Sequence, residues 1–186
     1  MATAGERFKM PDGSVYIVRH PAAEPDRDSV EMEFVLPSAC VPPPPHFHPQ
    51  QVEEYEVLEG RFDVVVEGEW RTLAPGESVS VPIGVLHTFR NRSGGVVRVR
   101  NWHRPAMRFE DYIERTCHTL QAAGVKRKRD PRVFLYVSMV MLDFDDTLVP
   151  GRRRERIPMQ ALARIARLLP SRRPEDRTPA SDEHGQ

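Results

Sequence analysis

The sequence predicts a mainly β fold, a sandwich or barrel followed by an α-helical extension, on three observations. Short β-type runs separated by proline and glycine fill the first hundred or so residues, which is the pattern of a sandwich or barrel. After Pro105 the apolar residues stop alternating and recur at helical spacing. A chain of 186 residues holds one core of about 100–150 residues with an appendage, and is too short for two large domains.

The β-type runs are 14–20, 30–36, 52–58, 61–67, 78–81, 86–91 and 96–102. Glu59-Gly60 reads as a tight hairpin turn, Glu67-Gly68-Glu69 as the next reversal and Gly94-Gly95 as another. Beyond Pro105, the recurrence of Phe109, Tyr112, Ile113, Thr116 and Leu120 marks an amphipathic helix over 107–123, with Gly124 where it stops. Asp130-Pro131 supplies an N-cap and a first-turn proline for a second helix over 131–143. Leu162, Ile165 and Leu169 mark a third over 158–169. The expected organisation is therefore a flexible N-terminus at 1–13, a barrel at 14–105, a helical extension at 106–170 and a disordered tail at 171–186. The tail has almost no apolar residues with which to offset its ordering entropy.

Charge and cysteine content narrow the function classes. Lysine plus arginine and aspartate plus glutamate number 27 each, so no sequence-wide field draws the chain to nucleic acid or an anionic membrane. No apolar run approaches the roughly 20 residues of a bilayer span, and the N-terminal stretch lacks the apolar segment of a signal peptide. Cys40 and Cys117 form neither a disulfide framework nor a CxxC pair. The expectation is a soluble cytoplasmic protein. No helix-turn-helix precedes the β region, which speaks against a one-chain transcription regulator.

Chemistry concentrates in two segments, PPPPHFHPQQVEEYEVLEG and PGESVSVPIGVLHTFRN. His46 and His48 are two apart, so on an extended strand both imidazoles project to one face, as two ligands of one cation must. Glu53 enters from the start of the next run, and His87 can complete the set from a distant strand. Imidazole with carboxylate suits a divalent first-row transition metal, Fe, Mn, Ni, Zn or Cu, where an all-oxygen set would suit magnesium or calcium. Alternation carries Tyr55 and Val57 inward with Glu53, and Phe89 and Asn91 inward with His87, as walls of a cavity. Trp102, His103 and Arg104 end the last β run near where such a cavity opens. Trp102 joins Tyr55, Val57 and Phe89 as a candidate wall residue, core packing being its other role, while Arg104 suits solvent.

These segments resemble the two motifs of the cupin superfamily, G-x5-HxH-x3,4-E-x6-G and G-x5-PxG-x2-H-x3-N. His46, His48, Glu53 and Gly60 fill the first, and Gly76, Pro82, Gly84, His87 and Asn91 fill every fixed position of the second. Cys40 stands where the first motif begins with glycine, and with prolines 42–45 it implies a stiffer approach to the metal-bearing strand that removes no ligand. The resemblance spans about residues 14–105. It implies a double-stranded β-helix (jelly-roll) barrel with one metal on three histidines and a glutamate. It does not imply a reaction, because cupins include oxygenases, decarboxylases, isomerases, storage proteins and sensors.

Other signals are weaker. Asp143-x-Asp145-x-Thr147-Leu148 matches the nucleophile motif of haloacid-dehalogenase-type phosphatases, but the later motifs and the sheet that chemistry needs have no room in the rest of the chain; a solvated acidic turn ending a helix is the reading adopted. Lys126 to Arg129 read as a solvated loop, and His20, His118 and His184 lack partners at ligand spacing. The functional expectation is a mononuclear-metal enzyme acting on a small carbonyl, enol or carboxylate compound by oxygenase, isomerase or lyase chemistry. The alternative is a non-catalytic binding module with a helical interaction surface. A homodimer is expected, because helices of these lengths must dock on something and residues 134–136 suit a shared interface.

Overall fold

The computed structural model describes residues 2–23, 28–38, 40–125, 130 and 132–151. Its strands are β1 (Arg7–Lys9), β2 (Val15–His20), β3 (Val30–Leu36), β4 (His46–Phe47), β5 (Val52–Glu59), β6 (Phe62–Val66), β7 (Glu69–Leu73), β8 (Ser78–Val81), β9 (His87–Arg90), β10 (Val97–Arg104) and β11 (Val149–Pro150), with helices α1 (Phe109–Ala122) and α2 (Arg132–Asp143) between β10 and β11. Two antiparallel sheets face each other in the orders β1-β2-β3-β10-β5-β8 and β11-β4-β9-β6-β7. The mainly β class with a short helical extension is thus the observed one.

Alternation sets the core. Along β10, Val97, Val99, Asn101 and His103 are buried, while Arg98, Arg100 and Trp102 are half-buried on the other face. Met32, Phe34 and Leu36 of β3, Tyr55 and Val57 of β5, and Phe62 and Val64 of β6 complete the inner layer. The outer face of β10 is an ionic ladder. Glu33 receives Arg19 and Arg98, Arg100 meets Glu56 at 3.0 Å and Glu31 at 3.3 Å, and the Trp102 indole donates to Glu31 at 3.0 Å. Gly60 closes the β5–β6 hairpin at φ 82°, and a Cβ there would lie 2.7 Å from the Val96 carbonyl oxygen, so the turn admits only glycine without rearrangement.

Three expectations change. The N-terminal residues expected to be flexible form β1, paired with β2 through Phe8 opposite Tyr16, and Phe8 is buried. A strand absent from the sequence reading, β7, pairs along β6 from Phe62–Leu73 to Val66–Glu69; its five residues carry no alternation of apolar and polar side chains to reveal it. The turn after α2 continues into β11, which pairs with β4 and extends the second sheet. The third helix, the tail, the 126–129 basic run and the Phe134 side chain lie outside the described residues.

The helices dock on their own barrel. Glu110 of α1 accepts a hydrogen bond from the Ala22 amide at 3.1 Å, and the Cys117 thiol donates to the Lys9 carbonyl at 3.1 Å. Phe109, Tyr112, Ile113 and Leu120 bury the apolar stripe. Among the described residues no helix is long and apolar enough to cross a membrane.

Candidate metal centre

The prolines before β4 do more than stiffen the chain. They cannot donate from the backbone, but their carbonyls still accept: Pro43 accepts from the Thr88 hydroxyl at 2.7 Å, Pro44 from His46 Nδ1 at 2.9 Å and Pro45 from the Gly151 amide at 2.7 Å. Cys40 is buried, and its amide donates to the Pro37 carbonyl at 3.1 Å. This segment delivers β4 onto β9 with His46 directly opposite His87. The PxG turn is tied in as well, since the Gly84 amide donates to the His48 carbonyl at 2.9 Å.

His46, His48, Glu53 and His87 are all buried, and each presents one ligand atom within 4.8 Å of the others. The structure thus brings together the four residues the spacing selected. Their hydrogen bonds define the tautomers. His46 Nδ1 donates to Pro44, His48 Nδ1 to the Thr147 carbonyl at 2.7 Å and His87 Nδ1 to the Val85 carbonyl at 2.9 Å. Carbonyl oxygens only accept, so each Nδ1 carries the proton and each Nε2 of a neutral ring is a lone pair.

Glu53 is anchored on one side only. Its Oε1 accepts from Asn101 Nδ2 at 2.9 Å, whereas Oε2 lies 2.6 Å from His87 Nε2 and 3.4 Å from His48 Nε2. Neither Glu53 Oε2 nor His87 Nε2 has a hydrogen bond of good geometry. Two lone-pair atoms at 2.6 Å repel unless a cation or proton lies between them. Burial works against ionising Glu53, but His103, His87 and His48 outweigh it and hold the carboxyl well below the usual range. Burial, then the neighbouring His87 and His48, hold His46 well below the ordinary imidazole value. Burial also lowers His87, yet the Glu53 carboxylate beside it raises its pKa above the ordinary value. A buried carboxylate facing imidazole lone pairs is a donor set that fits a divalent transition metal, with its outer nitrogens already oriented by carbonyls.

A fourth histidine belongs to the site. His103, fully buried, has Nε2 3.3 Å from Glu53 Oε1 and 3.4 Å from His48 Nε2, and its ring stacks on Phe109 with centroids 3.5 Å apart. Both neighbours of Nε2 are acceptors, so Nε2 bears the proton, and burial pushes the imidazole down to about 4. The signal was available in the sequence: extending the alternation of Val97 and Val99 by four residues turns His103 inward. The same alternation turns Trp102 outward, so Trp102 is a member of the ionic ladder and not a cavity wall.

Beside the metal-ligand cluster lies a cavity of about 170 Å³. His46 and Glu53 of the cluster are among its lining residues, as are Tyr55 and Phe89. Val57 is buried in the apolar core and is not among the lining residues. Asn91 faces inward but holds a loop, donating to the Leu36 and Gly95 carbonyls and accepting from the Ser93 amide. Nine of its 22 lining residues come from the extension, including Phe109, Tyr112 and Ile113 of α1 and Val137 and Met141 of α2.

A family model described as Cupin domain matches residues 32–103. Among curated proteins, the chain is 40% identical over 48 residues to oxidoreductase OpS7 of Beauveria bassiana, which is 25% of this chain and 16% of that protein. It is 42% identical over 40 residues to the HTH-type transcriptional regulator SutR of Escherichia coli, 22% of each. The matches therefore span under a quarter of the length of either relative. A crystal structure of a predicted oxalate decarboxylase from Thermotoga maritima aligns at 15% identity and TM-score 0.49, covering 55% of this chain and 92% of that one. Residues 32–103 form a cupin domain.

Proposed function

We propose that this chain is a mononuclear-metal enzyme acting on a small organic compound bound in the cavity beside His46, His48, Glu53 and His87. One observation carries the reading: three Nδ1–carbonyl hydrogen bonds leave three Nε2 lone pairs clustered with the Glu53 carboxyl beside an apolar cavity. A divalent transition metal held there supplies Lewis acidity to a coordinated carbonyl, enolate or carboxylate oxygen. The chain's own residues do the rest. Pro44, Thr147 and Val85 carbonyls fix the ring orientations, Asn101 and His103 restrain Glu53 through Oε1, and the aromatic walls exclude water from the reacting end.

The test has two stages. Protein purified without chelator and analysed for metals is expected to hold about one transition ion per chain, and His48→Ala or His87→Ala to lose it with the barrel still folded. The loaded protein is then assayed with small diketones, keto acids and phenols. Metal at full stoichiometry with no turnover of any of these would favour the non-catalytic binding module.

The homodimer and the cytoplasmic location are parts of the same proposal. Leu135, Tyr136 and Met139 leave α2 with half-buried apolar groups, and Cys40 and Cys117 are buried thiols that suit a reducing compartment. Light scattering at micromolar concentration should give twice the 21.3 kDa chain mass; the monomer mass would end the dimer.

A further inference from the structure

The walls of the cavity define what kind of compound enters it. They are dominated by aromatic and aliphatic side chains, with Phe34 and Phe89 on the barrel side facing Ile113 and Val137 on the helical side. Among the described lining residues there is no lysine or arginine. The one charged group apart from Glu53 is Asp12, whose two carboxylate oxygens are occupied by the Ser14 amide at 2.9 Å and the Val41 amide at 2.8 Å. Two negative groups and no fixed cation make the cavity poor at holding an anion away from the metal, because a carboxylate moved there loses its hydration without gaining a partner.

The polar groups in the wall are specific. Tyr55 OH and Thr116 Oγ1 line the cavity, belong to residues 1% and 5% exposed, and make no well-aligned hydrogen bond within the protein, with Glu53 near the Tyr55 hydroxyl and Tyr112 near that of Thr116. A buried hydroxyl without a partner costs free energy that a ligand oxygen can return. The two come from opposite sides, Tyr55 from β5 and Thr116 from α1.

We infer that the cavity binds a neutral, largely apolar single-ring compound with two oxygens, one directed to the metal-ligand end and the other to Tyr55 OH or Thr116 Oγ1. This rests on the metal-site reading for the first oxygen and on the cavity walls alone for the rest. The helical extension is then the specificity element, since α1 and α2 supply the apolar face across from the barrel. An anionic keto acid or dicarboxylate is the class the walls reject.

Titration calorimetry with phenol, catechol and benzoate tests this on the full chain, metal-free after chelation and again after loading with Mn²⁺. In the metal-free form phenol and catechol should bind at least about ten-fold more tightly than benzoate, because the walls act without the ion. In the loaded form catechol should bind best, and Tyr55→Phe or Thr116→Val should weaken catechol by about five-fold while changing phenol less. Benzoate binding as tightly as phenol to the metal-free protein would overturn the inference, as would unchanged catechol affinity in both variants. A protein that never retains metal yet prefers phenol over benzoate would sink the metal-enzyme reading alone and leave the cavity assignment standing. Metal content measured on each variant separates a loss of catechol binding from a loss of the ion.

Discussion

His48 Nδ1 donates to the backbone carbonyl of Thr147 at 2.7 Å, across 99 residues of sequence. A histidine of the cluster is therefore oriented by the turn that follows α2 within the helical extension. The acidic turn that carries Thr147 is itself clamped: Arg108 donates to the Asp146 carboxylate at 2.6 and 3.1 Å and to the Asp143 carbonyl at 3.1 Å, with its guanidinium over the Phe144 ring. The residues that mimic a phosphatase motif thus brace the metal-ligand cluster.

Loosening that brace should weaken the metal without unfolding the barrel. Arg108→Ala is expected to lower metal affinity by up to about ten-fold, the lower end of what outer-shell partners contribute. Chelator competition reads the affinity, and thermal unfolding of the metal-free variant should stay close to the parent. Equal losses in both would show a general packing role.

Metal binding should be proton-linked. His87, whose pKa is raised by Glu53, protonates before His46 as pH falls, because the lowered pKa of His46 keeps it neutral further down. Affinity should fall by about ten-fold per pH unit below the raised pKa of His87, and binding at neutral pH should release protons. Calorimetry in buffers of different ionisation enthalpy counts them. A pH-independent affinity between 5.5 and 7.5 would exclude a histidine-borne site.

Glu33 offers a stability test away from the metal. Burial pushes its carboxyl up, but hydrogen bonds and charges from Arg19 and Arg98 outweigh this and hold it below the ordinary glutamate value. A folded-state pKa below the unfolded one contributes stability that is present above the unfolded value and lost as pH falls through the folded one. Glu33→Gln should therefore cost about 1 kcal/mol at pH 7, both guanidiniums being partly exposed. Urea unfolding at pH 7 and at pH 3 should show the difference between parent and variant shrinking at the lower pH.

Gly60→Ala should destabilise by more than about 1 kcal/mol. The left-handed conformation alone costs alanine about that much, and its Cβ would meet the Val96 carbonyl oxygen and Val97. A denaturant midpoint equal to the parent's would mean that the hairpin rearranges freely.

The ligand cluster was legible in the sequence because its parts are local. The i, i+2 spacing of His46 and His48, the glutamate five residues on and the PxG-x2-H turn each state a face or a spacing that the backbone obeys within one or two strands. The barrel strands were legible for the same reason, since period-two burial is written residue by residue along β3, β5 and β10. Even His103 and Trp102 follow from that alternation, once its phase is carried to the end of β10.

The tertiary structure alone decided which remote segments meet. Nothing local to Thr147 indicates that its carbonyl receives His48, and nothing in residues 149–150 announces a strand that finds β4. Phe109 reads as one member of a helical stripe, yet its ring stacks on His103 and covers the cluster. Periodicity specifies which face of an element is apolar, but not which other surface that face will cover. That choice comes from the fit between distant surfaces, and here it made the helical extension one wall of the cavity and a brace of the candidate metal centre.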